Sequence, residues 1–205
     1  MGDYTGAMSS DMTLRDHARE AVRDEVAKHA WTLFAVQGYE ATTVDEIAEA
    51  AGMSRRTFFR YFAGKDELVL ERLVESGKLI ADALRDRPAD EPAWPALRAA
   101  LGVALALQEA HAEKARPLQL MLRAEPALRA TTETRRRLWV EALAPLVATR
   151  LPARSIERGP DTRAAAVAGS ALGCLDAAQI AWAENPGSSL TSLLDEAMSA
   201  VAPLA

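Results

Sequence analysis

Four cations, Arg55, Arg56, Arg60 and Lys65, fall within eleven residues and interleave with Phe58, Phe59, Tyr61 and Phe62, in a chain whose formal net charge is −5. Side chains of these types at this spacing bind rather than react. Guanidinium groups fork onto phosphate oxygens or onto guanine O6 and N7, and an aromatic ring can anchor a helix or rest on a thymine methyl. No Asp or Glu interrupts residues 54–65, so the local field stays positive inside an acidic protein. On a helical wheel at about 100° per residue, Arg55, Arg56, Phe59 and Arg60 share one side while Phe58 and Phe62 lie toward another. The second side can anchor while the first faces out. For three arginines alone, a solvated basic face beside an aromatic core is the better explanation of the pattern. Lys65 sharpens the case, because a cation in the first turn of a helix opposes the macrodipole unless an anion sits there.

Covalent chemistry finds no comparable support. His17, His29 and His111 are scattered, and there is no G-x-S-x-G elbow and no phosphate-binding glycine loop. His111-Ala112-Glu113 mimics the H-x-E of zinc deaminases, but the P-C-x-x-C half is missing. Cys174 is the only cysteine, which rules out an intrachain disulfide and a C-x-x-C pair and fits a cytoplasmic setting. No enzyme activity, metal or cofactor is expected. The N-terminal residues lack a basic n-region and an apolar h-region, so 1–12 read as a flexible arm rather than a secretory signal. Residues 164–182 are apolar but Ala-rich and carry Asp176 and Gln179, which predicts a buried core helix and no membrane partner.

The elements that must hold the basic cluster are legible from caps and breakers. A periodic apolar row, Val22, Val26, Ala30, Leu33 and Phe34, predicts a first helix over 13–37, stopped by Gly38. Thr43 and Glu46 form a capping box that opens a short helix to about residue 50. Gly52 supplies a turn, and Ser54 caps a third helix to about residue 61. Two short helices across a glycine turn describe a helix-turn-helix. A fourth helix is expected over 65–85, and R-P-A-D-E-P-A-W-P then breaks the chain. Helices are expected near 96–112, 115–123, 126–149, 161–183 and 189–201, separated at Pro117, Pro126, Pro152, Pro160 and Pro186. The fold class is therefore all-α with about nine helices: an arm over 1–12, a helix-turn-helix domain over 13–64 and a second helical domain over 65–205.

Residues 38–70 closely resemble the N-terminal domain of TetR-family transcriptional regulators, whose pattern reads T-T-x-x-[DE]-I-A-x-x-A-G-[VM]-S-x-x-T-[FL]-[YF]-x-[HY]-F-x-x-K-[DE]-x-L. Thr42, Thr43, Asp45, Ile47, Ala48, Ala51, Gly52, Met53, Ser54, Thr57, Phe58, Phe59, Tyr61, Phe62, Lys65, Asp66 and Leu68 stand at those places without a gap. The match around S-R-R-T-F-F-R-Y-F is also similar to the actinobacterial subgroup near mycofactocin-associated regulators. The resemblance implies DNA binding through Thr43, Ser54, Arg55, Arg56, Thr57, Phe59, Arg60, Tyr61 and Lys65. Thr43, Tyr61 and Lys65 would hold phosphates, and Arg55, Arg56, Thr57 and Phe59 would face the major groove. The family usually has Tyr where Phe59 stands, which removes one hydroxyl donor.

Beyond residue 70 the resemblance implies a bundle that binds a small effector and pairs with a second copy. Ala165, Gly169, Gly173 and Ala177, a small-residue row at four-residue spacing, together with Leu190 and Leu194, are the expected homodimer interface, with Ala-rich packing inside one chain explaining the row nearly as well. Trp94, His111, Leu118, Met121, Leu122, Arg123, Trp139 and Trp182 are the candidate lining of an effector pocket, although side chains of these types pack into a core more often than they meet a ligand. The similarity to mycofactocin-associated regulators implies an acyl-CoA-like or similar long apolar ligand, its acidic head group meeting Arg116 or Arg123. The expected function is a repressor that binds a pseudo-palindromic operator and is released by an effector. The alternative is a helical interaction module whose basic helix binds an acidic protein.

Overall fold

The structure is a computed structural model describing residues 13–152 and 162–203, so the expected arm over 1–12 lies outside the described residues. Nine α-helices and one 3-10 turn make up the described chain, with no strand among the described residues. The helices group into two compact units, residues 1–65 and 66–205.

In the first unit, α1 (Leu14–Gln37) opens on a capping box in which the Asp16 carboxylate accepts from the Thr13 amide at 2.9 Å and its hydroxyl at 2.7 Å. Gly38, at φ 85°, ends it. A second box joins Thr43 and Glu46 at the start of α2 (Val44–Ala50). Gly52 then takes φ 66°, a left-handed turn that a Cβ would strain. α3 (Arg55–Phe58) is one α-helical turn. It tightens at once, the Arg60 amide bonding the Thr57 carbonyl at 3.1 Å and the Tyr61 amide the Phe58 carbonyl at 2.9 Å. The helix expected to reach about Tyr61 therefore ends as a 3-10-like turn. Val26, Ala30, Phe34, Tyr39, Ile47, Ala48, Phe58 and Phe62 are buried in this unit.

α4 (Lys65–Arg85) starts at the boundary, followed by α5 (Ala93–Ala110), α6 (Ala112–Ala124), a 3-10 turn (Pro126–Leu128), α7 (Arg129–Ala148), α8 (Thr162–Glu184) and α9 (Leu190–Val201). α8 is central to the second unit, packed by α7 and α9 and touched by α5 and α6. It is long and apolar enough to cross a membrane, with mean hydropathy 1.4. Its polar groups are nonetheless committed inside the bundle: Gln179 bonds Gln108 at 3.0 Å, and Asp176 takes Arg135 at 2.6 Å and Arg136 at 2.7 Å. That is the behaviour of a core helix.

Prolines break this unit less than their positions suggest. α6 runs through Pro117, and the break falls at His111 (φ −125°, ψ 42°). Pro145 likewise sits inside α7. Pro117 lies exposed on α6, where the carbonyl it leaves unbonded can meet water. α5 starts three residues earlier than expected, because Pro95 falls in its first turn, where no intrahelical N–H is needed.

Candidate nucleic-acid interface

Phe58 and Phe62 are buried, their rings 5.2 Å apart, and they pin the basic turn to the domain. Phe59 stands 47% exposed on the opposite side, flanked by exposed Arg56 and Arg60. Among the described residues Arg56 and Arg60 form no ion pair. Arg55 lies 5.6 Å from the Phe59 ring centroid and pairs with Asp45 at 2.8 Å. Both partners are exposed, so the pair contributes little to stability and orients the guanidinium rather than burying it. Ser54 caps α3, accepting from the Thr57 amide at 3.1 Å, with the two hydroxyls 2.9 Å apart. What faces outward is two unpaired arginines, one weakly held arginine and a large ring. That surface suits polyanion binding and base-edge contact, and offers nothing for bond making.

Two expected phosphate contacts are otherwise occupied. The Lys65 ammonium turns back to donate to the carbonyls of Tyr39 (2.6 Å), Glu40 (3.2 Å) and Thr42 (3.0 Å), and lies 4.3 Å from the Tyr39 ring centroid. Three donors meet three acceptors. Lys65 thus closes the α1–α2 loop instead of reaching outward. The Thr43 hydroxyl donates to Glu46 at 2.8 Å, and bonds from Thr43 and Gln37 hold the Glu46 carboxyl below the usual carboxylate range. Missing from the sequence reading were two α1 arginines: Arg23 donates to the Tyr61 carbonyl and stacks 4.4 Å over Phe62, and Arg19 lies 5.8 Å from the Tyr61 ring. Their four-residue spacing with Arg15 was the available signal.

Comparison with known proteins settles the family. The family model described as bacterial regulatory proteins, tetR family, matches residues 27–71, and that of the MftR C-terminal domain matches residues 91–204. MftR of Mycobacterium tuberculosis, whose name ties it to mycofactocin biosynthesis, is 30% identical over 183 residues, 89% of this chain and 90% of that one. The chain belongs to the TetR family. It is a DNA-binding transcriptional regulator and not an enzyme. TcmR of Streptomyces glaucescens is 40% identical over 92 residues, but these make up only 45% of this chain and 41% of that relative. Among solved structures, FadR of Thermus thermophilus in complex with lauroyl-CoA has a TM-score of 0.56 at 24% identity, covering 86% of this chain and 91% of that one. FadR of Bacillus subtilis with stearoyl-CoA has a TM-score of 0.63 at 19% identity, covering 89% and 98%.

For a TetR-family regulator the second unit is where an effector would be sought, and here the expected lining is largely spent on the fold. Trp182 is 1% exposed, beneath the Arg116 guanidinium 4.0 Å from its ring centroid. Arg116 itself donates to the carbonyls of Trp182, Asn185, Pro186 and Ser188, capping the end of α8. Arg123 pairs with Glu184. Both arginines expected to meet an acidic head group are thus engaged. Trp139 is buried and donates to the Leu73 carbonyl at 3.0 Å, resting on α4 where Gly77 leaves room. The Trp94 indole bonds the Ala202 carbonyl at 3.1 Å, and His111 is an exposed break residue. Leu118 and Met121 are half-buried on α6, beside buried Leu122. A surface groove of about 460 Å³ lies elsewhere, along Leu79, Asp82, Ala83, Asp86, Arg87, Ala99, Ala100 and Val103.

The expected dimer surface also divides. Leu190 and Leu194 have no exposure and belong to the unit's own core, so they are not available to a second copy. Arg136 lies across the small-residue row, donating to the Gly169 carbonyl at 2.9 Å and standing 3.6 Å from where a Cβ on Gly173 would be. Ala165 is half-buried and Ala177 exposed.

Proposed function

We propose that the protein acts as a homodimeric repressor, placing two copies of α3 in successive major grooves of a pseudo-palindromic operator and leaving it when a largely apolar effector binds the second unit. The observation that carries the DNA half is the outward set Arg56, Phe59 and Arg60, backed by buried Phe58 and Phe62. Arg56 would read a guanine edge, Phe59 would pack on a thymine methyl, and Arg60 would hold a phosphate. Thr57, Ser54 and Arg55 complete the reading surface, the Asp45 pair yielding to DNA. Thr43, Tyr61 and Lys65 serve as positioning residues.

A dimer follows from the two-fold symmetry that such operators require, with half-sites about 34 Å apart. Exposed apolar groups on α8 and α9, Ala177, Ile180 (41%) and Val201 (59%), give it a surface. For the effector we favour an acyl-CoA-like molecule, a class supported by the FadR complexes with lauroyl-CoA and stearoyl-CoA. α6 is its natural door, because Leu122 is the one residue of that helix that is buried, beside partly buried Ala112 and Ala115, and the Arg116 and Arg123 latches fasten it to the end of α8. An effector bound under Leu118, Met121 and Leu122 would break the Arg116 and Arg123 latches and must favour that opened state over the DNA-bound one.

Selection of duplexes from a random pool, followed by sedimentation with and without the recovered duplex, tests the reading. Recovery of inverted repeats by a dimer is expected. Recovery of no common sequence, with tight binding to an acidic protein surface instead, would overturn it.

A further inference from the structure

α1 carries Arg15, Arg19 and Arg23 at four-residue spacing, so the three share a face. Arg23 is spent on the Tyr61 carbonyl and the Phe62 ring, and that fastens this face of α1 against the end of the α3 turn. The result is a cleft of about 280 Å³ lined by Arg15, Asp16, Arg19, Arg60 and Tyr61. Arg15, Arg19 and Arg60 are exposed and, among the described residues, form no ion pair. The single acid in the lining, Asp16, accepts from both Thr13 donors and offsets part of the Arg19 charge, which leaves three cations against one carboxylate. The chain has 29 acidic residues against 24 basic ones, yet Glu20 and Asp24 fall one position round the helix and are not in the lining, where three guanidinium groups share one recess. Like charges gathered in one recess repel unless an anion sits among them.

We infer that this cleft is a second phosphate-binding site, which grips one backbone phosphate of the duplex flanking the groove read by α3. It rests on the DNA-binding reading above and extends the phosphate contact given there to Arg60 onto Arg15 and Arg19, which that reading does not use. A duplex phosphate suits the cleft better than a free anion because the site is continuous with the reading turn. Arg60 and Tyr61 directly follow Phe59, so a strand held at Arg56 and Phe59 continues toward Arg15 and Arg19. Such contacts fix orientation and carry no sequence information. Arg15 and Arg19 therefore set affinity and salt dependence, while preference among sequences stays with Arg56.

The test is fluorescence anisotropy on the full-length Arg15→Ala/Arg19→Ala protein, using a duplex recovered from a random pool and a shuffled duplex of equal composition, from about 50 to 200 mM salt. Binding to both duplexes should weaken about tenfold, and the slope of log affinity against log salt should become shallower by about 0.9 for each cleft lost. The ratio between the duplexes should not change. The Arg15→Lys/Arg19→Lys protein should recover most of the loss, because the contact depends on charge. Unchanged affinity and slope in the alanine variant, beside a wild type that binds normally, would overturn this inference alone, as would a changed ratio between duplexes. A wild type with no affinity for either duplex would bring down the DNA-binding reading and this inference together.

Discussion

Arg56 and Arg60 have the same charge and similar exposure but are given different tasks, and truncation separates them. Arg56→Ala should cost about 1 to 3 kcal/mol at the preferred duplex and relax preference at one base pair, whereas Arg60→Ala should weaken all duplexes alike. Competition binding with single-base variants of the selected site reads both outcomes, and a uniform loss for Arg56→Ala would reassign it to phosphate. Phe58 sits behind them fully buried. Phe58→Ala should lower the stability of the first unit by about 3 to 5 kcal/mol, seen in a denaturant melt. The inside and outside of this turn were legible in the sequence because periodicity decides them. The targets of Lys65 and Arg55 were not, since they depend on carbonyls and a carboxylate brought in from the α1–α2 loop and α2.

Gly77 shows how an element is placed by the absence of a side chain. A Cβ there would stand 2.3 Å from Trp139 Nε1, closer than real contacts allow, and the neighbour is a rigid indole rather than a flexible tip. Alanine would gain about 0.5 to 1 kcal/mol of helix propensity in α4 but should lose about 1 to 3 kcal/mol through overpacking. Gly77→Ala is therefore expected to melt at a lower temperature than wild type. At the other end of the bundle Glu109 anchors α9, accepting from the Leu190 amide at 2.6 Å and the Thr191 hydroxyl at 3.0 Å. Burial pulls its carboxyl upward, but bonds from Thr191, Leu190 and Ser189 outweigh that and leave it below the usual range. A carboxyl lowered in the folded state stabilises the fold above its unfolded pKa, and that contribution drains away as pH falls through the lowered value. Asp195 is lowered too, by its bond from Arg98. The melting temperature should hold from about pH 7 to 5 and fall below about pH 4, and Glu109→Gln should show a smaller fall. Caps and glycine stops made the helix order readable, and the helix expected over 126–149 already runs through Pro145. The path through Pro117 was not readable, because exposure on a helix face lets the bundle override a local breaker.

For the whole molecule, recognition and response are assigned to separate units, residues 1–65 and 66–205. Leu190 and Leu194 read as interface residues in the sequence because an apolar stripe cannot say which partner covers it; the structure covers them with the chain's own core. If Ile180 and Val201 meet a second copy instead, Ile180→Lys should shift the protein toward monomer in sedimentation and weaken operator binding without lowering the affinity of a single half-site. Effector release belongs to the same level: saturating acyl-CoA should reduce operator affinity and raise hydrogen exchange in α6, and exchange confined to another helix would contradict the α6 door.

The most direct measurement is the affinity of the unaltered protein for its selected duplex and for the shuffled duplex at two salt concentrations. Tighter binding to the selected duplex by at least about a thousandfold, with affinity for both falling steeply as salt rises, is the expected result. Equal affinity for the two duplexes, or binding indifferent to salt, would contradict the assignment of the Arg56–Phe59–Arg60 face to sequence-specific DNA recognition.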